Sequence, residues 1–176
     1  MKKVTFLTIF AVLVMISSAA AAQTASGTLT VTATVNGSIQ LVFNSDAAGV
    51  ALSSGAGTNT ATLAFGNVSA FGAVAGGIVR TTTATTFTVS SAVDVLVSKT
   101  NSASANYTLK AQLGAADAVN TWQVGGVSVT SAAQSTLTAT GTYAANSNFP
   151  VAITVPFTTA SGTNISNTVN YTATAN

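Results

Sequence analysis

Apolar and polar residues alternate with a period of two along most of the chain. Thr28, Thr30, Thr32 and Thr34 interleave with Leu29, Val31, Ala33 and Val35, and residues 38–43 resume the alternation with Ile39, Leu41 and Phe43. Successive strand residues point to opposite faces, so this pattern sets one face toward a core and the other toward water. Further strands are predicted at 61–65, 85–90, 93–99, 107–113, 122–124, 127–129, 136–142, 151–157 and 168–174. Gly125-Gly126 predicts a tight hairpin turn. Segments 44–59 and 70–77 are rich in Ala, Gly and Ser and read as surface loops. Residues 114–120 hold enough Ala for one helical turn, and no stretch after residue 22 keeps helical periodicity over ten residues. Many short strands with regular turn signals predict an all-β sandwich or barrel. An outer-membrane barrel would need aromatic girdles and longer lipid-facing strands. Aromatics are only 7% of this chain, and its apolar strand faces are largely Ala and Val.

The N-terminus breaks the alternation. Lys2 and Lys3 precede an apolar run over 4–16, interrupted only by Thr5 and Thr8 and followed by Ser17-Ser18-Ala19-Ala20-Ala21-Ala22. A positive start, an apolar core and an A-x-A site predict a signal peptide over residues 1–22, cleaved before Gln23. The apolar run is shorter than the roughly 18 residues of a spanning helix, so no stable membrane insertion is expected. The expected organisation is a signal peptide at 1–22, an N-terminal strand segment at 23–36 and a β-sandwich domain at 37–176.

Composition then narrows the function. Beyond the leader, Arg80, Lys99 and Lys110 balance Asp46, Asp94 and Asp117, so the chain has neither a basic patch for nucleic acid nor an anionic face. Charged residues are 5% of the chain, against an average of about 25%. So few charges give little protection against self-association. The chain has no Cys and no His, and its three acids are all Asp. A Ser–His–Asp triad and a Cys nucleophile are excluded, and zinc loses both of its preferred ligand types. No calcium loop, phosphate loop or dinucleotide fingerprint occurs. The sequence therefore predicts no catalytic residue, no metal site and no cofactor. Trp122, Tyr107, Tyr143 and Tyr171 are expected to pack in or near the core. The Thr rows at 28–34 and 136–142 read as solvent-facing strand Thr, with polysaccharide or ice binding by a monomeric sandwich as the alternative function.

Several stretches are similar to a known family. These are LTVTATVNGSIQLVF at 29–43, LAFGNVSA at 63–70, the run 86–113 in which 93–99 leads into Asn106-Tyr107-Thr108-Leu109, and NTVNYTATA at 167–175. Together they resemble the spore-coat-protein-U-like domain, which also forms subunits of archaic chaperone–usher pili. Members commonly carry a cysteine pair near the first strand and a central strand. This chain has none, and the early strand has Ile39 instead. The resemblance implies an immunoglobulin-like antiparallel β-sandwich that lacks one strand and is completed by a neighbouring subunit. The donor strand would be 28–35, with Leu29, Val31, Ala33 and Val35 facing inward. The acceptor groove would lie between strands carrying Ile39, Leu41 and Phe43 and strands carrying Val169, Tyr171 and Ala173. It implies a secreted surface fibre, pilus or coat, self-association as the main partnership, and a periplasmic chaperone and an outer-membrane usher. Asn36-Gly37 is also a strong hairpin signal, which would fold 28–35 back on 38–43 within one chain. Both readings stay open on the sequence alone.

Overall fold

A computed structural model describes residues 26–176. Eleven strands form within them: β1 (Ser38–Ser45), β2 (Val79–Thr82), β3 (Thr86–Ser91), β4 (Val93–Thr100), β5 (Tyr107–Leu113), β6 (Thr121–Val124), β7 (Val127–Val129), β8 (Ser135–Gly141), β9 (Asn146–Asn148), β10 (Val151–Pro156) and β11 (Val169–Ala175). Every ladder is antiparallel. The three sheets are ordered β1-β4-β9, β2-β3-β10-β6-β7 and β11-β5-β8, and no helix occurs among the described residues. The predicted signal peptide and its cleavage site lie outside those residues.

The first two sheets share strands that nearly run on from one another. Only Ala92 separates β3 from β4, and only Phe149-Pro150 separates β9 from β10. Pro150 has no N–H for a ladder, which favours a break there. On the facing strand, the buried Ser91 turns its hydroxyl to an outside segment, accepting the Val50 N–H at 2.7 Å. A Cβ on neighbouring Gly49 would stand 2.2 Å from the Ala92 carbonyl oxygen, so that close approach requires glycine.

The central strand of the third sheet, β5, packs on both of the others. Its inward Tyr107 and Leu109 meet Val95 and Val97 of β4 in one buried cluster. Its Ala111 and Leu113 join a second cluster with Val89, Val124, Val129, Val151 and Ile153. The arrangement is that of a β-sandwich, with each buried aliphatic side chain worth about 1.5–3 kcal/mol.

Alternation located most strands to within a residue or two, and Gly125 (φ 58°) and Gly126 (φ 79°) make the expected turn between β6 and β7. Within this chain residues 28–35 form no strand. Three expectations are corrected. The hairpin at Asn36-Gly37 is not formed: Gly37 lacks the positive φ that a type I′ turn requires. Residues 61–65 form no strand, because the only pairing there is the isolated bridge of Thr62 with Ser54. Residues 114–120 make turns around the Asp117 carboxylate, which accepts the Val119 and Asn120 N–H groups at 3.0 and 2.9 Å and so competes with a helix.

Candidate functional site

The sandwich is open along one side. There β1 and β11 are both edge strands, each laddered on one side only, to β4 and β5 respectively. The second edge of β1 carries one isolated bridge: Phe43 N–H donates to the Thr58 carbonyl at 2.8 Å, and Gly57 N–H donates to the Phe43 carbonyl at 2.7 Å. From Ser38 to Leu41 that edge has no backbone partner among the described residues, and neither has the outer edge of β11. Unpaired N–H and C=O groups in a row are a template for another strand.

Between these edges lies a cavity of about 1770 Å³. Ile39, Leu41 and Phe43 line it from β1, and Val169 and Tyr171 line it from β11. Its floor is the core itself, through Val89, Val93, Trp122, Val151, Ile153 and Val155. Segments 57–68 and 161–168 form the rest of the wall. The inward side chains of β1 and β11 are only half-buried, whereas those of β4 and β5 are fully buried. Phe43 and Tyr171 meet edge to face at 5.1 Å between ring centroids on the wall of this cavity. Burial raises the Tyr171 phenol well above its ordinary range, so the residue stays neutral and acts here as an apolar wall with a hydroxyl tip.

Trp122 is held on the floor by a polar anchor. Its indole N–H donates to Asp117 Oδ2 at 2.8 Å, while Asn120 donates to the same carboxylate from its backbone and its side chain. Desolvation works to raise the Asp117 pKa. The hydrogen bonds from Asn120, Trp122 and Val119 outweigh it and hold the carboxyl at about 2.

The structure thus gathers five of the six residues expected to line an acceptor groove around one cavity. Ala173 lies further along β11 and packs instead on the cluster of Val95, Val97, Tyr107 and Leu109. The four donor positions are exposed: Leu29 is 89%, Val31 80% and Val35 73% accessible, and Ala33 is exposed as well. Sequence reasoning missed the floor residues and Leu63, Phe65 and Ile165 of the wall. The alternation of Leu63 and Phe65 signalled an inward face, and Ile165 stands alone in a Gly-, Ser-, Thr- and Asn-rich stretch. Among the described residues no group of three Asp, Glu, His or Cys side chains converges. Comparison with family models, curated proteins and solved structures gives no match to this chain.

Proposed function

We propose that this chain is a structural subunit of a secreted bacterial surface fibre, pilus or coat, polymerised by donor-strand complementation. The sandwich is an immunoglobulin-like fold lacking one strand, and residues 28–35 of another copy supply it. One observation carries this reading: a groove floored by apolar core side chains runs between two edge strands that each have one edge largely unpaired. A strand inserted there gains main-chain hydrogen bonds from the edges, and its alternate side chains fill the groove.

Segment 28–35 has matching chemistry. Leu29, Val31, Ala33 and Val35 fall on one face of an extended chain, and three of them are large apolar groups lying exposed. Eight extended residues span about 27 Å, against about 24 Å for the seven of β11. Burying Leu29, Val31 and Val35 contributes about 1.5–3 kcal/mol each, and each ladder bond adds about 0.5–1.5 kcal/mol. The absence of net charge beyond the leader leaves no repulsion between copies. A periplasmic chaperone that covers the groove before assembly, and an outer-membrane usher, fit the resemblance stated above.

The test is a denaturing gel of the protein from the surface of the source cells, unboiled and boiled. A ladder that collapses to monomer on boiling is expected. Val31→Asp places a charge in the apolar groove and is expected to abolish the ladder. A single monomer band in both lanes for the wild type, or a normal ladder from Val31→Asp, would overturn the assignment.

A further inference from the structure

Two phenylalanines stand out of the sandwich at the pole where β3 begins and β10 ends. Phe71 is 71% and Phe157 39% accessible, with ring centroids 5.9 Å apart. Phe157 stacks in turn on the buried Phe87 at 6.4 Å, so the patch is rooted in the core. The loop presenting Phe71 is held in place. Arg80 donates to the Ser69 and Gly72 carbonyls at 2.9 and 2.6 Å, Ser69 Oγ donates to the Phe71 carbonyl at 2.7 Å, and Gly72 takes φ 88°. An exposed aromatic pair on a braced loop marks an interaction surface.

The position of this patch gives it a partner. The chain enters β1 at the opposite pole: Ser38 lies across from Thr100, whereas Thr86 begins β3 at the far end of the run that β4 continues. Gly37 is packed so closely on the β4–β5 loop that a Cβ would stand 2.7 Å from the Asn101 carbonyl oxygen. Only Asn36 and Gly37 separate Val35 from Ser38, a span of at most about 11 Å. A copy whose Val35 fills the last pocket of a neighbour's groove therefore brings its own Gly37 pole against the mouth of that groove.

The mouth lies at one of two poles. Contact between two Gly37 poles uses the same surface twice and closes as a two-fold pair. Contact between unlike poles repeats indefinitely, and a fibre requires it. The groove reaches the Phe71 pole through segment 157–168, which starts at Phe157, leads to β11 and lines the cavity from Ser161 onward. We propose that the Phe71–Phe157 patch is the seat on which the Gly37 pole of the next copy of this chain docks. The proposal rests on the donor-strand reading and adds to it a second, side-chain interface that fixes the order of poles.

The test uses the full chain, whose lack of cysteine makes introduced thiols unambiguous. Phe71→Asp is expected to raise the concentration needed for half-maximal ladder formation at least tenfold, with an unchanged thermal melt of the monomer. Phe71→Cys combined with Ala103→Cys, on the exposed loop after β4, is expected to give boiling-resistant ladders with a flexible bis-maleimide, and Ala103→Cys alone to give none. A wild-type chain that never forms an unboiled ladder overturns the donor reading and the seat together. A wild-type ladder that Phe71→Asp leaves unchanged, or covalent dimers from Ala103→Cys alone, overturns the seat and leaves strand exchange standing.

Discussion

On the closed side of the sandwich, β5 along its length and β4 from Val93 to Ser98 alternate buried and half-buried residues, and Val95, Val97, Leu109 and Ala111 are inaccessible to solvent. On the open side, β1 and β11 have the same alternation of apolar and polar residues, yet their inward side chains are only half-buried. The residue types differ little. What differs is the neighbour: β4 and β5 each have a strand on both edges, whereas β1 and β11 each have one. Alternation in the sequence therefore reports which face is apolar, and the supply of partners decides whether that face is covered.

Large-to-small changes on the two sides break this comparison most directly. Leu109→Ala empties a fully buried site and is expected to cost about 2–5 kcal/mol in urea unfolding of the monomer. Leu41→Ala removes a side chain that already faces the cavity, and about 1.5 kcal/mol or less is expected in the same experiment. Equal losses would mean that the two sides are packed alike.

Closing the open side by design sharpens the contrast from the other direction. β11 ends at the Gly37 pole, beside the β4–β5 loop, where the Asn176 N–H donates to the Asn106 carbonyl at 3.1 Å. A chain starting at residue 36, with residues 28–35 moved to follow Asn176 through a short Gly-rich linker, can lay that segment antiparallel to β11. The new burial and ladder bonds oppose the cost of ordering eight residues, which the short linker reduces, and a rise in Tm is the expected outcome. Trp122 is the sole tryptophan and lines the floor, so its fluorescence should shift as the groove fills. An unchanged melt and spectrum would show that the groove does not take this strand.

The smallest effect concerns the anchor of that tryptophan. Asp117 has a folded pKa of about 2, below its unfolded value of about 3.9, so its contribution is complete above pH 4 and is lost as pH falls through 2. The carboxylate is largely solvated, and a change in stability under about 1 kcal/mol is expected. Trp122 emission should titrate in that window, and Asp117→Asn should remove the titration. An identical acid response in the variant would assign the change to another group.

Much of this was legible in the sequence, and the exceptions share a cause. Strands β4, β5, β7 and β10 fall where alternation put them, since they carry inward Val, Leu, Ile or Tyr against turn residues. β2 was missed because it is short, follows Gly76-Gly77 and directs Arg80 to loop carbonyls. β9 reads Asn-Ser-Asn, with no apolar residue, and is a strand because it lies beside β4 in the approach to β10. Residues 61–65 and 28–35 alternate well and are not strands, because alternation says nothing about whether a backbone finds a ladder. The walls of the groove could be named from alternation and resemblance. Its floor could not, because Trp122, Val151 and Ile153 are buried core positions whose alternation does not mark them as bordering a cavity.

The two-residue span between Val35 and Ser38 has a mechanical consequence. In a row of copies joined this way, tension applied along the row passes from one sandwich through Asn36-Gly37 into the strand lodged in the next. Under the proposed joining that strand would run antiparallel to β11, so pulling would load its ladder bonds in shear, all at once. Peeling would break them one after another at far lower force. The joint would therefore resist extension well while its short Asn-Gly segment still lets neighbouring sandwiches swivel.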